Sequence, residues 1–238
     1  MHPWNLNTTN ALTAAAYDNL QAEKLSSALQ SIYKRKYIAG YHFHEYKRLL
    51  REKLDPRLET KHPLELILAA EIDDRQFFHT LQLQVAAHVL ACMQSMHALG
   101  DTLAYAIAFS LGMNLGKGRL EESKISLAAV ASRLNYDPRY ADLHSSLNPI
   151  LVNVDYTYLA DAVNQSKHRG LISADFSFDA TGTSGSKYEL FLPAFAFKSR
   201  TYSQRNLSGF LDPLFVWLSP QVVSVGNALN EALERSQA

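Results

Sequence analysis

From Phe78 to Leu115 the chain carries a single formal charge, that of Asp101. Within this stretch Leu81, Val85, Val89, Met93, Met96, Leu99, Leu103, Ile107 and Leu111 recur at three- and four-residue spacings. A helix with this pattern is apolar on most of its sides and has to be covered by other elements. Its least polar part, 102–116, is about 15 residues long, shorter than the ~20 that a bilayer span needs. The reading is a buried core helix at roughly 78–115, frayed at Gly112, Gly116 and Gly118, with no membrane association. With 238 residues, 47% of them hydrophobic, the chain is long enough to wrap such a helix within one domain spanning 1–238.

The flanking sequence supplies the cover. Residues 11–36, with Leu20, Leu25, Ala28, Leu29 and Ile32 near helical spacing, predict a first helix. Gly40 reads as an interruption, 43–54 as a second helix closed by Asp55-Pro56, and His62-Pro63 as the opening of a short one over 64–73. Beyond the central helix, 123–134 is helical. So is a short segment capped by Asp137-Pro138 that ends before Asn148-Pro149. A helix over 155–168 follows, stopped by Gly170. The period then changes to two: Ile172, Ala174, Phe176 and Phe178 alternate with Leu171, Ser173, Asp175 and Ser177, a strand pattern. A second β-like run over 188–197 returns after the loop 180–186, and its Pro193 indicates an edge or a bulge. A last helix over about 207–235 is expected to break near Ser219-Pro220. The fold class is mainly α: a helical bundle around a long buried central helix, with a β-hairpin insertion near 171–197.

Lysine and arginine together number 23, as do aspartate and glutamate, so no global field draws the chain to nucleic acid or membrane. Any such partner must meet a local patch. The single cysteine, Cys92, points to a reducing, cytoplasmic setting. The N-terminus lacks the basic start and apolar run of a secretory signal. No cofactor motif is present: Gly182-Thr-Ser-Gly185 lacks the lysine and following helix of a phosphate loop, and no Gly-x-Ser-x-Gly elbow occurs.

Three local patterns carry chemistry. On the helix that ends at Gly170, Asp161, Asn164 and His168 fall on one polar stripe, and Lys167-His168-Arg169 closes it. Such an end can hold a phosphate, with His168 as acid or base, although cations in a last turn also simply complement the helix dipole. On the central helix, His97 and Asp101 are four apart and form an expected buried polar pair, with Lys167 or His168 as candidate partners. A metal site would need further ligands, and no His-x-x-x-His or Cys-x-x-Cys supplies them. Between residues 34 and 53, Lys34, Arg35, Lys36, Lys47, Arg48, Arg51 and Lys53 face only Glu45 and Glu52, interleaved with Tyr33, Tyr37, Tyr41, Phe43 and Tyr46. Cations among aromatics suit a nucleic-acid strand. A solvated face whose aromatics are core is the commoner origin of such a run.

The Asn164-x-x-Lys167-His168-Arg169 helix end, following a long helix that carries His97-Ala-Leu-Gly-Asp101-Thr-Leu103, resembles uncharacterised bacterial helical proteins related to the HEPN superfamily. The resemblance implies a small helical bundle, often dimeric, and a ribonuclease or RNA-linked role in bacterial toxin, defence or stress systems. It aligns His168 with the family's histidine and Asn164 with its polar residue, which puts Val163 where the family has an arginine. Valine has no donor with which to steady phosphate charge. The expected function is therefore a non-catalytic RNA- or nucleotide-binding module using Asn164, Lys167, Arg169 and Asp161. The alternatives are a protein-interaction or structural role with a protein partner, and a metal-independent ribonuclease using His168. Three other Arg–His pairs match the family's spacing: Arg35 with His42, Arg57 with His62 and Arg139 with His144. Of these only the last is expected to share a helix.

Overall fold

The computed structural model describes residues 2–62, 65–66, 72–179 and 187–237. In chain order these form α1 (Leu6–Ala16), α2 (Asn19–Leu49), a π-helical turn (Leu50–Leu54), α3 (Asp55–Thr60), α4 (Ile72–Ser110), α5 (Leu127–Asn135), α6 (Ala141–Val152) and α7 (Val154–His168). Five short strands follow, β1 (Asp175–Phe178), β2 (Tyr188–Leu192), β3 (Phe195–Phe197), β4 (Arg200–Tyr202) and β5 (Arg205–Asn206), and then α8 (Leu207–Gln237). The mainly α architecture with a small antiparallel β element is as the sequence predicts. Most of the expected helix over 64–73 and the loop with Gly182 and Gly185 lie outside the described residues. The chain forms two compact units, one of Met1–Tyr37, Met96–Thr157 and Phe215–Ala238, the other of Ile38–Ser95 and Tyr158–Leu214.

The first unit is organised by the second half of α4. Leu103, Ala104, Ala106, Ile107, Ala108 and Phe109 are all fully buried, so the helix is covered on most of its sides, as its apolar character demands, and only the face of Asp101, Thr102 and Tyr105 stays open. The same unit also buries the stripe Leu25, Leu29 and Ile32 of α2, Val130 and Leu134 of α5, Leu143, Leu147 and Ile150 of α6, and Val222, Val225, Leu229 and Leu233 of α8. The C-terminal end of α4 leaves carbonyls unpaired, and Gln21 Nε2 donates to the Phe109 carbonyl at 2.8 Å. Gly112 ends the helix at φ +63°, and a Cβ there would meet the Tyr17 ring. At the N-terminus Asn5 caps α1, accepting from the amides of Asn7 and Thr8. Thr9 donates to Asn230 Oδ1 at 2.6 Å, and Asn230 Nδ2 donates to the Asn5 carbonyl at 3.1 Å. These bonds fasten α1 to α8.

In the second unit α4 buries one stripe, Leu81, Val85, Val89, Cys92 and Met93, and leaves Leu83 exposed. The sheet is antiparallel in the order β1-β2-β5, with Asp175 opposite Phe191 and Phe178 opposite Tyr188. Phe78 of α4 packs on Phe176 and Phe178 at centroid distances of 5.5 and 5.6 Å. Tyr188 donates to Asp55 at 2.9 Å. A second hairpin, β3–β4, pairs Phe195 with Tyr202 and brings both rings against Tyr158 of α7. Pro193 sits where the chain leaves the first sheet for this hairpin.

Several boundaries differ from those read in the sequence. The first helix is two, because Asp18 caps α2 by accepting from the Gln21 amide at 2.7 Å. Gly40 does not interrupt α2: a lone helical glycine costs only about 1 kcal/mol, and buried Ala39 and Phe43 hold the register. Arg35 and His42 thus belong to one helix. The central helix runs Ile72–Ser110 rather than 78–115. The helix expected over 123–134 starts at Leu127 because Ser126 caps it. Pro149 lies inside α6 and Pro220 inside α8. Each loses a hydrogen bond and is carried by the buried stripe on either side.

Since the first unit depends on Leu103, which is fully buried, Leu103→Ala is expected to cost about 2–5 kcal/mol. Urea unfolding checks it: the midpoint falls while the slope with denaturant stays the same.

Candidate nucleic-acid interface

The exposed end of α7 lies in the second unit. Val163 occupies a fully buried core position, Asn164 is half-buried, and Lys167, His168 and Arg169 are exposed. The helix closes as a last turn does, with the Arg169 and Gly170 amides both donating to the Gln165 carbonyl at 2.9 and 3.1 Å. His168 has no hydrogen-bond partner among the described residues, so nothing there orients its imidazole. Asp161, expected on the ligand-binding stripe, is buried and taken up by the β3–β4 hairpin. Arg200 Nε lies 2.9 Å from Oδ2, and the Tyr202 hydroxyl donates to the same oxygen at 2.6 Å. Burial, reinforced by that bond, pushes the Tyr202 phenol up to about 12, which keeps it a donor. Asp161 therefore anchors the hairpin.

What the hairpin adds is charge. Arg169 lies over the Phe197 ring at 5.1 Å and Lys198 over the same ring at 5.4 Å. Lys198 occupies the turn with φ +53°. Arg169 and Lys198 form a local cationic pair on one ring, with exposed Lys167 in the adjacent last turn of α7, and the carboxylate of Asp161 is already paired. The sequence offered no periodicity to place Lys198 here, because the second hairpin is built from strands of three residues.

In the first unit His97 is buried and its Nδ1 lies 3.3 Å from Asp101 Oδ2. The spacing puts both side chains on one face of α4. Asp101 itself is not buried, since its side chain is 62% exposed. That face of α4 opens onto a polar groove of about 540 Å³ lined by Lys24, Ser27, Ser31, Arg35, Thr102 and Glu122. Lys167 and His168, named as candidate partners of this pair, belong to the other unit.

The basic run on α2 divides sharply. Within the second unit Lys47 pairs with Asp212 at 2.5 Å, Arg48 with Glu45 and Glu52 at 2.5 and 2.6 Å, and Lys53 bonds Gln84 at 3.2 Å. Arg51 reaches Glu52 at 3.2 Å. Phe43 and Tyr46 are core. Within the first unit Lys34, Arg35 and Lys36 have no ion-pair partner among the described residues. Tyr33 and Tyr37 beside them are 57% and 59% exposed. Their rings lie 4.5 Å apart, and the Tyr33 hydroxyl donates to that of Tyr37 at 3.0 Å. The expectation that the aromatics of this run are core holds only for Phe43 and Tyr46.

The remaining Arg–His pairs contain committed arginines. Arg57 bonds Asp74 at 2.6 Å and lies 3.7 Å from the Phe77 centroid. Arg139 is held by Asp137 through contacts of 2.6 to 3.1 Å. Among the described residues no group of three or more His, Cys, Asp or Glu could hold a metal, and no helix is long and apolar enough to cross a membrane.

One feature of the second unit had no signal in the sequence. His42 and His88, 46 residues apart, meet Nδ1 to Nδ1 at 2.8 Å, with the Tyr41 ring edge-on to both. One nitrogen must donate and the other accept. Burial, and then the charge of His88, lowers the pKa of His42. A group with a lowered folded pKa stabilises fully above its unfolded value, about 6.5, and loses that contribution as pH falls through the folded value. Stability to urea is expected to drop below pH ~6.5, and His42→Gln to flatten that part of the profile. A parallel decline in both proteins would rule the pair out as its source. No family model, curated protein or solved structure matches the chain.

Proposed function

We propose that the chain binds single-stranded RNA without cleaving it, using the Tyr33–Tyr37 face of α2. One observation carries this: two exposed tyrosines, their rings in tilted contact, share two helical turns with three cations that form no ion pair among the described residues. Aromatic rings accept any base by stacking, at about 1–3 kcal/mol per base, and adjacent cations track the phosphates. Arg169 and Lys198 on the Phe197 ring at the α7 end offer a second site for phosphate, with Lys167 in the adjacent helical turn. Two features favour binding over cleavage. Buried Val163 stands at the position where the HEPN-like motif would need an arginine, and His168 has no orienting partner among the described residues. A general base in such a reaction has to be held within hydrogen-bond reach of the proton it takes.

Anisotropy of a labelled oligouridine tests the proposal. Binding should weaken at least about tenfold in Tyr33→Ala/Tyr37→Ala. It should also fall with salt, and Lys34→Ala/Lys36→Ala should reduce the slope of log K against log salt by about 1.4. Affinity that ignores both the tyrosines and the salt would end the reading. RNA cleavage abolished by His168→Ala would replace it with a ribonuclease.

A further inference from the structure

Beside the tyrosine face, and within the first unit, lies a groove of about 210 Å³ lined by Pro3, Trp4, Leu6, Ile32, Tyr33, Leu99, Val222 and Val223, with Ser219 and Lys36 also contributing. Its two aromatic walls have spent their polar handles. Trp4 Nε1 donates to Thr9 Oγ1 at 2.8 Å, and the Tyr33 hydroxyl donates to Tyr37. What faces the groove is mainly ring and alkyl surface, with the Ser219 side chain and one ammonium, Lys36, at its polar part. The Trp4 wall is built in: a Cβ at Gly226 would collide with the indole, so the glycine is what lets the ring seat on α8. Thr9, which receives the indole N–H, is itself fixed to Asn230 at 2.6 Å.

An apolar trough whose two aromatic donors are engaged elsewhere suits an alkyl or similarly apolar body, because a polar edge placed between those rings would go unsatisfied. The volume is below the roughly 300 Å³ at which pockets for drug-sized ligands begin, so the body is small. Lys36 has no ion pair among the described residues and complements an anionic head. We infer that this groove binds a medium-chain monocarboxylate, with its alkyl chain between Trp4, Ile32 and Val222 and its carboxylate on Lys36. This does not rest on RNA binding.

The test uses the full chain with Trp217→Phe, so that Trp4 alone reports by fluorescence. Decanoate, kept below its micelle concentration, should give a saturable change, and octanoate should bind about 15-fold more weakly for the two methylenes it lacks. Lys36→Ala should weaken decanoate about tenfold and leave decanol unchanged. Gly226→Ala should weaken both by displacing the indole. Because Lys36→Ala is a surface change, it keeps the proposal open to refutation even if Gly226→Ala fails to fold. No saturable signal with decanoate would overturn the inference. So would equal binding of decanol and decanoate, or a signal accompanied by self-association in sedimentation, which would make the groove an interface between copies.

Discussion

The need to cover α4 governs the rest of the structure. A helix whose residues 103, 104 and 106 to 109 are all fully buried gains roughly 1.5–3 kcal/mol for each large apolar side chain withdrawn from water. It gains this only if neighbours surround it. The stripes of α2, α5, α6 and α8 in the first unit are buried as well, and their own gain explains why two of them run through proline. An interior proline costs about 3 kcal/mol or more, comparable to burying one or two leucines. Leu143, Leu147 and Ile150 bracket Pro149, and Leu218 and Val222 bracket Pro220. Burial outweighs the local preference to break.

Covering a helix this completely brings polar groups inside, and each then requires a partner. The partners come from far away in sequence. Gln21 reaches the Phe109 carbonyl and also Asn114 at 2.7 Å. Thr9 finds Asn230. In the second unit Asp161, nearly fully buried, is met from two sides by Arg200 and Tyr202. Because the Arg200 side chain is half exposed, water screens the pair and its net worth is modest. Losing either partner would still leave a buried charge uncompensated. This explains how a hairpin of two three-residue strands keeps its place: the aromatic cluster of Tyr158, Phe195, Tyr202 and Phe210 supplies area, and Asp161 supplies direction.

Period and composition made the helical class, the position of α4 and the β1–β2 hairpin legible, because each rests on a repeat that extends over several residues. Breaks were read less well. Gly40, Pro149 and Pro220 are strong local signals, and all three were overridden by burial that a local reading cannot weigh. Asp18 and Ser126 are cap residue types, yet the helices expected over 11–36 and 123–134 run straight through them. Among site residues, the His97–Asp101 spacing gave the pair but not the exposure of Asp101, which depends on which face of α4 meets no neighbour. The contacts His42–His88 and Asp161–Arg200 join residues 46 and 39 apart and left no periodic trace. The α7 motif drew attention to Asn164 and His168, whereas the charge is concentrated by Lys198 from a turn with no motif at all.

The middle of α2 is where folding alone does not account for the sequence. Ile32 and Ala39 are buried, and everything between them is exposed. On an exposed helical turn, stability is served by small or long-chain residues with opposite charges four apart, as Arg48 and Glu52 provide further along the same helix. Residues 24–44 contain no carboxylate, so Lys34, Arg35 and Lys36 have no opposite charge on their own helix within reach, and Tyr33 and Tyr37 leave ring surface in water. Two independent departures from what the helix would favour fall on the same two turns. Sequences that conflict locally with their own stability tend to do so at functional surfaces, and exposed aromatic surface beside uncompensated charge is recovered only when something stacks on the rings and neutralises the cations.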